Sequence, residues 1–155
     1  MFTLRARWDG TARGQGEAGA AALELGLMAP FLILLVVGAV DLGSAVYKGM
    51  EAQNAAEAGA VFASKYGLNV AGISTAVANA TGSAGITATP TPAQFCGCPT
   101  TTGIASTACT STCGDGSAPG QYVRINARIT HQTMFSSTGL TLPATITGEA
   151  VVRLY

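Results

Sequence analysis

Charge is scarce in this chain. Only 10% of its 155 residues are charged, and eight basic and eight acidic side chains leave a formal net charge of zero. The basic residues are scattered, whereas a nucleic-acid-binding domain concentrates them in a patch or stripe, so we expect no nucleic-acid partner. The mean hydropathy of +0.38 is high for a free soluble protein of this length.

Side chains that carry catalytic chemistry are also few. The single histidine, His131, lies near the end of a predicted strand, where we expect a surface or rim residue. The acids Glu51, Glu57, Asp115 and Glu149 show no pairing suited to acid–base work. No glycine-rich phosphate loop opens a helix. We therefore predict that the chain is not an enzyme and uses no cofactor.

What the chain does contain is an apolar run of membrane length. Residues 18–40 carry one charge, Glu24, and a membrane-spanning helix needs about 20 apolar residues. A cleaved secretory signal ending near residues 38–40 is the alternative. Because the apolar periodicity continues past Asp41, we predict a retained transmembrane helix over residues 20–41.

Glu24 is the residue with the strongest functional indication. A charge within a membrane segment is expensive and usually has a function and a partner. Gly19 precedes it by five residues, and cleavage after Gly19 would leave Ala20 as a positively charged N-terminus near the depth of the carboxylate. The simpler interpretation is that Glu24 marks the cytoplasmic interface. Residues 1–19 are accordingly predicted to be a cytoplasmic leader that is removed.

Basic residues predict the orientation of the span. Arg5, Arg7 and Arg13 precede it, while the residues just after it have less basic bias. The positive-inside rule then places the N-terminus in the cytoplasm and the remainder outside, as a single-pass membrane protein.

The helix is predicted to continue outside the membrane over residues 42–66, with a stop at Tyr66-Gly67. Pro30 lies inside the span and can kink it. Small residues recur at steps of three and four along one face of the continuation, a pattern that permits close backbone packing. They are Ala45, Gly49, Ala52, Ala56, Gly59 and Ala63. This face packs either on the protein's own domain or on neighbouring subunits. Polar residues that include Lys48 and Glu51 are expected on the other side.

Residues 67–155 are predicted to form a small extracytoplasmic α+β domain. Alternation of apolar and polar residues indicates strands over residues 122–130 and 144–155. A short helix is expected near residues 72–80 and a strand near 85–89. One apolar face of an antiparallel sheet has to be covered, and the Ala-rich half of the long helix is the expected cover.

The cysteines lie close together, in the segment 96–113. They are Cys96, Cys98, Cys109 and Cys113. An even, clustered set in an exported domain favours disulfides, whose pairing the sequence leaves open among three possibilities. A four-thiolate zinc site is the weaker alternative, so we expect no metal.

Residues 19–63 resemble the TadE-like proteins of Flp/Tad pilus systems, which are type IV pilin-like. The resemblance rests on the acidic residue early in the helix, Pro30, the apolar block, Gly-x-x-Asp-x-Gly at Gly38–Gly43 and Gln-Asn-Ala-Ala-x-x-Gly-Ala at Gln53–Ala60. Leu25 stands where prepilins of the Flp type carry an aromatic residue.

The resemblance implies a minor pilin or pseudopilin in the bacterial inner membrane with a periplasmic C-terminal domain. A prepilin peptidase would cut after Gly19, and Glu24 would then act in assembly with other pilins, pseudopilins and the Tad assembly platform. The alternative function is a single-pass, membrane-anchored adhesion or binding module that is not processed.

Overall fold

A long helix, α1, runs from Gln15 to Tyr66 over 52 residues. The computed structural model describes residues 15–133 and 142–154, so most of the predicted leader and the connection at residues 136–139 lie outside the described residues. The helix begins five residues before the predicted start at Ala20, because Gln15, Glu17 and Ala18 are good helix formers that extend it upstream.

Helix α1 ends at the predicted stop. Gly67 adopts a left-handed φ of +69°, and its N–H donates to the carbonyl of Ala63 at 2.9 Å. Only glycine takes this conformation without a steric penalty, which is why the helix ends here. Helix α2, Val70–Asn79, follows at once, and the Asn69 side chain caps it by accepting the Gly72 N–H at 3.0 Å.

Five strands in the described parts of the chain form one antiparallel sheet. They are β1 (Thr87–Ala88), β2 (Ala93–Thr100), β3 (Gly103–Thr107), β4 (Gly120–Thr130) and β5 (Thr145–Arg153). Strand β4 is central: β5 pairs along one side of it, and β1 and β2 share the other side, with β3 outside β2. The strands predicted near residues 85–89, 122–130 and 144–155 are therefore confirmed, with β1 and β5 shorter than predicted, and the α+β class is confirmed as well.

Strands β2 and β3 were not expected from the sequence, where this region reads as a Cys-tied loop. Gly97 and Pro99 interrupt any apolar alternation, so local pattern gives little strand signal. The strands exist because β2 pairs with β4 from Ala93 to Gly97 and with β3 from Cys96 to Thr100. Pairing across the sheet thus overrides weak local propensity.

The core lies between the sheet, α2 and the second half of α1, which comprises residues 41–66. Ile73 and Val77 of α2 and Val123 and Ile125 of β4 are its largest fully buried side chains. The alternation predicted for β4 is confirmed, since Val123, Ile125, Ala127 and Ile129 are buried while Arg124 and Arg128 are exposed. The chain divides into two compact units, Met1–Val40 and Asp41–Tyr155, and all of this core belongs to the second.

Two polar residues that the sequence did not place in the interior are buried. Glu51 is 8% exposed and accepts a 2.6 Å hydrogen bond from the Ser83 hydroxyl. His131 is 4% exposed, and within the described parts of the chain neither ring nitrogen has a hydrogen-bond partner. The expected rim position of His131 is therefore wrong: its backbone N–H donates to the Ala144 carbonyl, which extends the β4–β5 ladder and keeps the residue inside.

Candidate functional site on the long helix

The first half of α1 presents large apolar side chains that nothing in the described chain covers. Leu23 is 75% exposed, Phe31 64% and Leu35 68%. Within the described residues, α1 is the one helix long and apolar enough to cross a membrane, and its most apolar stretch has no buried residue. An apolar surface of this extent is stable when lipid or another apolar surface covers it.

Glu24 lies on the exposed surface of this half, between Leu23 and Leu25. No residue that the structure describes forms a hydrogen bond or ion pair with it. Ala20 precedes Glu24 by four residues in a continuous helix, so the two lie on the same face, about 6 Å apart along the axis. A Cβ added to Gly19 would meet nothing within 4 Å. The site can therefore provide an exposed carboxylate among apolar side chains, one helical turn from Ala20.

Pro30, Gly38 and Gly43 are the other sequence-predicted helix residues of this region. The helix continues unbroken through Pro30, although proline removes the bond to the carbonyl of Gly26. An added Cβ at Gly38 or at Gly43 would meet no atom within 4 Å. None of the described residues therefore covers these two glycines.

The second half of α1 has the opposite character. Ala52, Ala56 and Ala63 are fully buried in the core. A Cβ on Gly59 would lie 2.8 Å from a Val77 methyl and 3.0 Å from an Ile125 methyl. The small residues therefore let α2 and the sheet approach the helix backbone. The contact weakens at the upstream end of the stripe, where Ala45 is half-buried and an added Cβ on Gly49 would be 3.9 Å from Ile146.

Polar groups of α1 also hold the sheet, which sequence reasoning missed. The Gln53 side-chain amide hydrogen-bonds both backbone groups of Glu149, at 3.2 and 3.3 Å. Lys48 Nζ donates to the carbonyl of Thr130, the last residue of β4, at 3.0 Å. The residue types gave no signal, because exposed Gln and Lys on a helix are ordinarily solvated; only the approach of β4 and β5 supplies the acceptors.

All four cysteines form disulfides, as predicted, and the open pairing is Cys96–Cys109 with Cys98–Cys113. Both bonds tie β2 to the segment after β3. With every thiol oxidised, the four-thiolate zinc alternative is excluded for this state. In the same segment, the Ser117 N–H and hydroxyl donate to Asp115 Oδ1 at 2.9 and 2.7 Å, and these bonds lower the pKa of Asp115.

The outer face of the sheet carries exposed basic residues. Arg124 pairs with Glu149 at 3.1 Å and stacks 4.9 Å above the centre of the Phe95 ring. Both charged side chains are about half exposed, so the pair contributes little to stability. The surface is thereby ordered but remains accessible.

Comparison with known proteins finds a family similarity along α1. The model of the TadE-like protein family matches residues 19–61. This confirms the resemblance predicted from residues 19–63. No curated protein and no solved structure matches the chain.

Proposed function

We propose that this protein is a structural assembly protein, a TadE-like minor pilin or pseudopilin that takes part in Flp/Tad pilus biogenesis. The observation that carries the proposal is the extent of the family match. It begins at Gly19, covers the apolar half of α1 and ends within the half that packs on the sheet. The proposal assigns α1 an anchoring and assembly role and includes no catalytic step.

The mechanism rests on Gly19, Ala20 and Glu24. A prepilin peptidase cuts after Gly19 and removes the leader. The free amine of Ala20 on one subunit then neutralises the Glu24 carboxylate of a neighbour. Pairing removes much of the penalty of holding a carboxylate in apolar surroundings, so it favours one axial register between subunits.

The proposed location is the bacterial inner membrane, with a cytoplasmic N-terminus and a periplasmic domain. Two disulfides support it, because such bonds form and persist in oxidising compartments outside the cytoplasm. Arg5, Arg7 and Arg13 upstream of the span support the same orientation.

Mass spectrometry of the mature N-terminus tests the processing step. In cells that contain the cognate peptidase we expect the protein to begin at Ala20, and Gly19→Leu to abolish the cut. Gly26→Leu is the matched control, since an added Cβ at either glycine meets nothing within 4 Å. An intact Met1, or a cut near Ala39, contradicts the proposal.

The assembly role of the carboxylate is tested by Glu24→Ala. This variant is expected to insert normally but to lose most of its co-purification with other pilins. Glu57→Gln removes the same charge from an exposed position of the same helix downstream of the span and keeps an oxygen that can accept from the Gln53 amide, and we expect it to retain co-purification. Equal behaviour of the two variants rejects the pairing mechanism.

The second candidate is a membrane-anchored adhesion or binding module. The disulfide-braced β2–β3 hairpin favours it, because the hairpin is rigid and its tip carries the exposed residues Thr100, Thr101 and Thr102. Replacing residues 20–40 with an unrelated apolar span distinguishes the two functions. An adhesion module keeps its activity after the exchange, whereas an assembly protein loses its association with other pilins.

A further inference from the structure

Strand β5 forms an edge of the sheet. Among the described residues it pairs only with β4. The Leu154 N–H donates to the Gln121 carbonyl and the His131 N–H to the Ala144 carbonyl. Because hydrogen-bonded pairs alternate in an antiparallel ladder, the even-numbered residues of β5 bond to β4. The N–H and C=O groups of Thr147, Glu149 and Val151 therefore point away from the sheet.

Gln53 forms hydrogen bonds with the outward-pointing N–H and C=O groups of Glu149, the middle residue of these three. Its Nε2 donates to the Glu149 carbonyl at 3.2 Å, and the Glu149 N–H donates to its Oε1 at 3.3 Å. A neighbouring antiparallel strand would make the same two bonds to Glu149. A third bond, from Nε2 to Glu57 Oε1 at 3.2 Å, orients the amide. The Gln53 side chain thus makes the hydrogen bonds that one residue of an adjacent strand would make.

The helix reaches this position because of Gly148. This residue is buried next to Glu149, and a Cβ on it would collide with the backbone carbonyl of Ala52. Without a side chain there, the α1 backbone comes close enough for Gln53 to reach the edge. The lack of a side chain at Gly148 and the two hydrogen bonds of the Gln53 amide are independent features, and both support the contact between α1 and the edge of β5.

We infer that Gln53 is an edge cap that prevents a second copy of this chain from adding its β5 strand to this one. Exposed edges invite strand addition, and proteins protect them by covering or interrupting them. Two identical β5 edges suit each other in an antiparallel, two-fold pairing. With Gln53 in place, such a pairing would have to break both of its hydrogen bonds to Glu149. Glu149 lies between Thr147 and Val151, the other two residues whose backbone groups point outward.

The test uses Gln53→Met in the full-length protein in detergent micelles. Methionine has similar length and helix propensity but makes neither bond, so folding is retained. We expect the variant to form dimers at concentrations where the wild type does not, by native mass spectrometry. Asn54→Met makes the same kind of change at the adjacent exposed position, and we expect it to behave as wild type.

Hydrogen exchange supplies a readout that does not depend on association. At low protein concentration the Glu149 amide is expected to exchange about fivefold faster in Gln53→Met, as for the loss of one ordinary hydrogen bond. Unchanged exchange, or a variant no more dimeric than Asn54→Met, overturns the inference.

A second substitution locates the new contact. Val151 is 38% exposed and its N–H points away from β4, so Val151→Pro removes an edge donor without breaking the β4–β5 ladder. Added to Gln53→Met, it is expected to restore the wild-type oligomeric state. Dimers that persist in the double variant would show association through another surface and would refute the edge-cap role.

Discussion

The two halves of α1 use apolar residues in opposite ways. Upstream of Val40 the helix exposes leucines and a phenylalanine, with Leu23 at 75% and Phe31 at 64%. Downstream it buries alanines, with Ala52 and Ala56 at 0%. Large apolar residues are ordinarily buried, whereas small ones occur both inside and at the surface. In this helix the large residues of the first half are exposed and the small residues of the second half are buried.

The difference shows what each half requires. Large exposed side chains gain stability from an external apolar medium, roughly in proportion to the area that is covered. Small buried ones contribute little area of their own but allow backbones to approach, so the larger residues of α2 and β4 form the core around them. The first half is suited to lipid or other helices. In the second half only the small-residue face is suited to its own sheet, since Val46, Tyr47 and Met50 remain exposed.

The largest expected effect comes from breaking the close approach at Gly148. Gly148→Ala places a Cβ against the Ala52 backbone, which cannot give way as a flexible side chain would. We expect a loss of about 3 kcal/mol in the free energy of unfolding, typical of severe overpacking. Thermal unfolding of the full-length protein in micelles, followed by near-ultraviolet circular dichroism, measures it. Wild-type stability would show that α1 is not docked closely on β5.

A matched pair of substitutions compares small residues along the helix itself. Gly59→Ala introduces contacts of 2.8 and 3.0 Å with buried methyl groups, and we expect it to destabilise the domain by about 2 kcal/mol. Gly43→Ala meets no atom, so we expect it to be neutral or to stabilise the helix by up to about 1 kcal/mol. Equal changes in the free energy of unfolding for the two variants, in the same assay, would show that Gly59 is no more closely packed than Gly43.

A smaller effect is expected at the end of the packed half. Asn69→Ala removes the cap of α2, which supplies Ile73 and Val77 to the core. The loss is expected to be about 1 kcal/mol, as for other N-cap substitutions. Chemical denaturation of Asn69→Ala and Asn69→Ser checks it, because serine retains a capping oxygen. A serine variant no more stable than the alanine variant would argue against the capping role.

The smallest effect lies in the disulfide-tied segment, which belongs to neither half of the helix. The pKa of Asp115 is lowered in the folded state by its bonds to Ser117, so the ionised carboxylate stabilises the fold. That contribution is complete above the ordinary aspartate pKa and is lost as the pH falls through the lowered one. Asp115→Asn should therefore flatten the decline in stability as the pH falls below the ordinary aspartate pKa. Identical pH profiles for variant and wild type would contradict this assignment.

Elements with a strong local signal could be predicted from the sequence. The long helix, its stop at Gly67, the alternation in β4 and β5 and the oxidation of the cysteines follow from periodicity, backbone preference and composition. The site residues Gly19, Ala20 and Glu24 were also recognised locally, by a lone charge within an apolar run. Their processing and pairing remain predictions.

Elements that depend on distant partners could not be predicted. Strand β2 contains Gly97 and Pro99 and is held in the sheet by β4 and by two disulfides. Glu51 is tolerated in the interior because Ser83, 32 residues away, donates to it. Gln53 caps an edge that forms 96 residues later in the chain.

The sequence alone therefore determined that one helix has an apolar half and a small-residue half, since side-chain size and polarity are local properties. Only the tertiary structure decided that the protein's own domain covers the small-residue face, how the cysteines pair and which backbone groups Gln53 reaches. Hydrogen bonds and close contacts act over a few ångströms, so their partners are defined only after the sheet has formed against the helix.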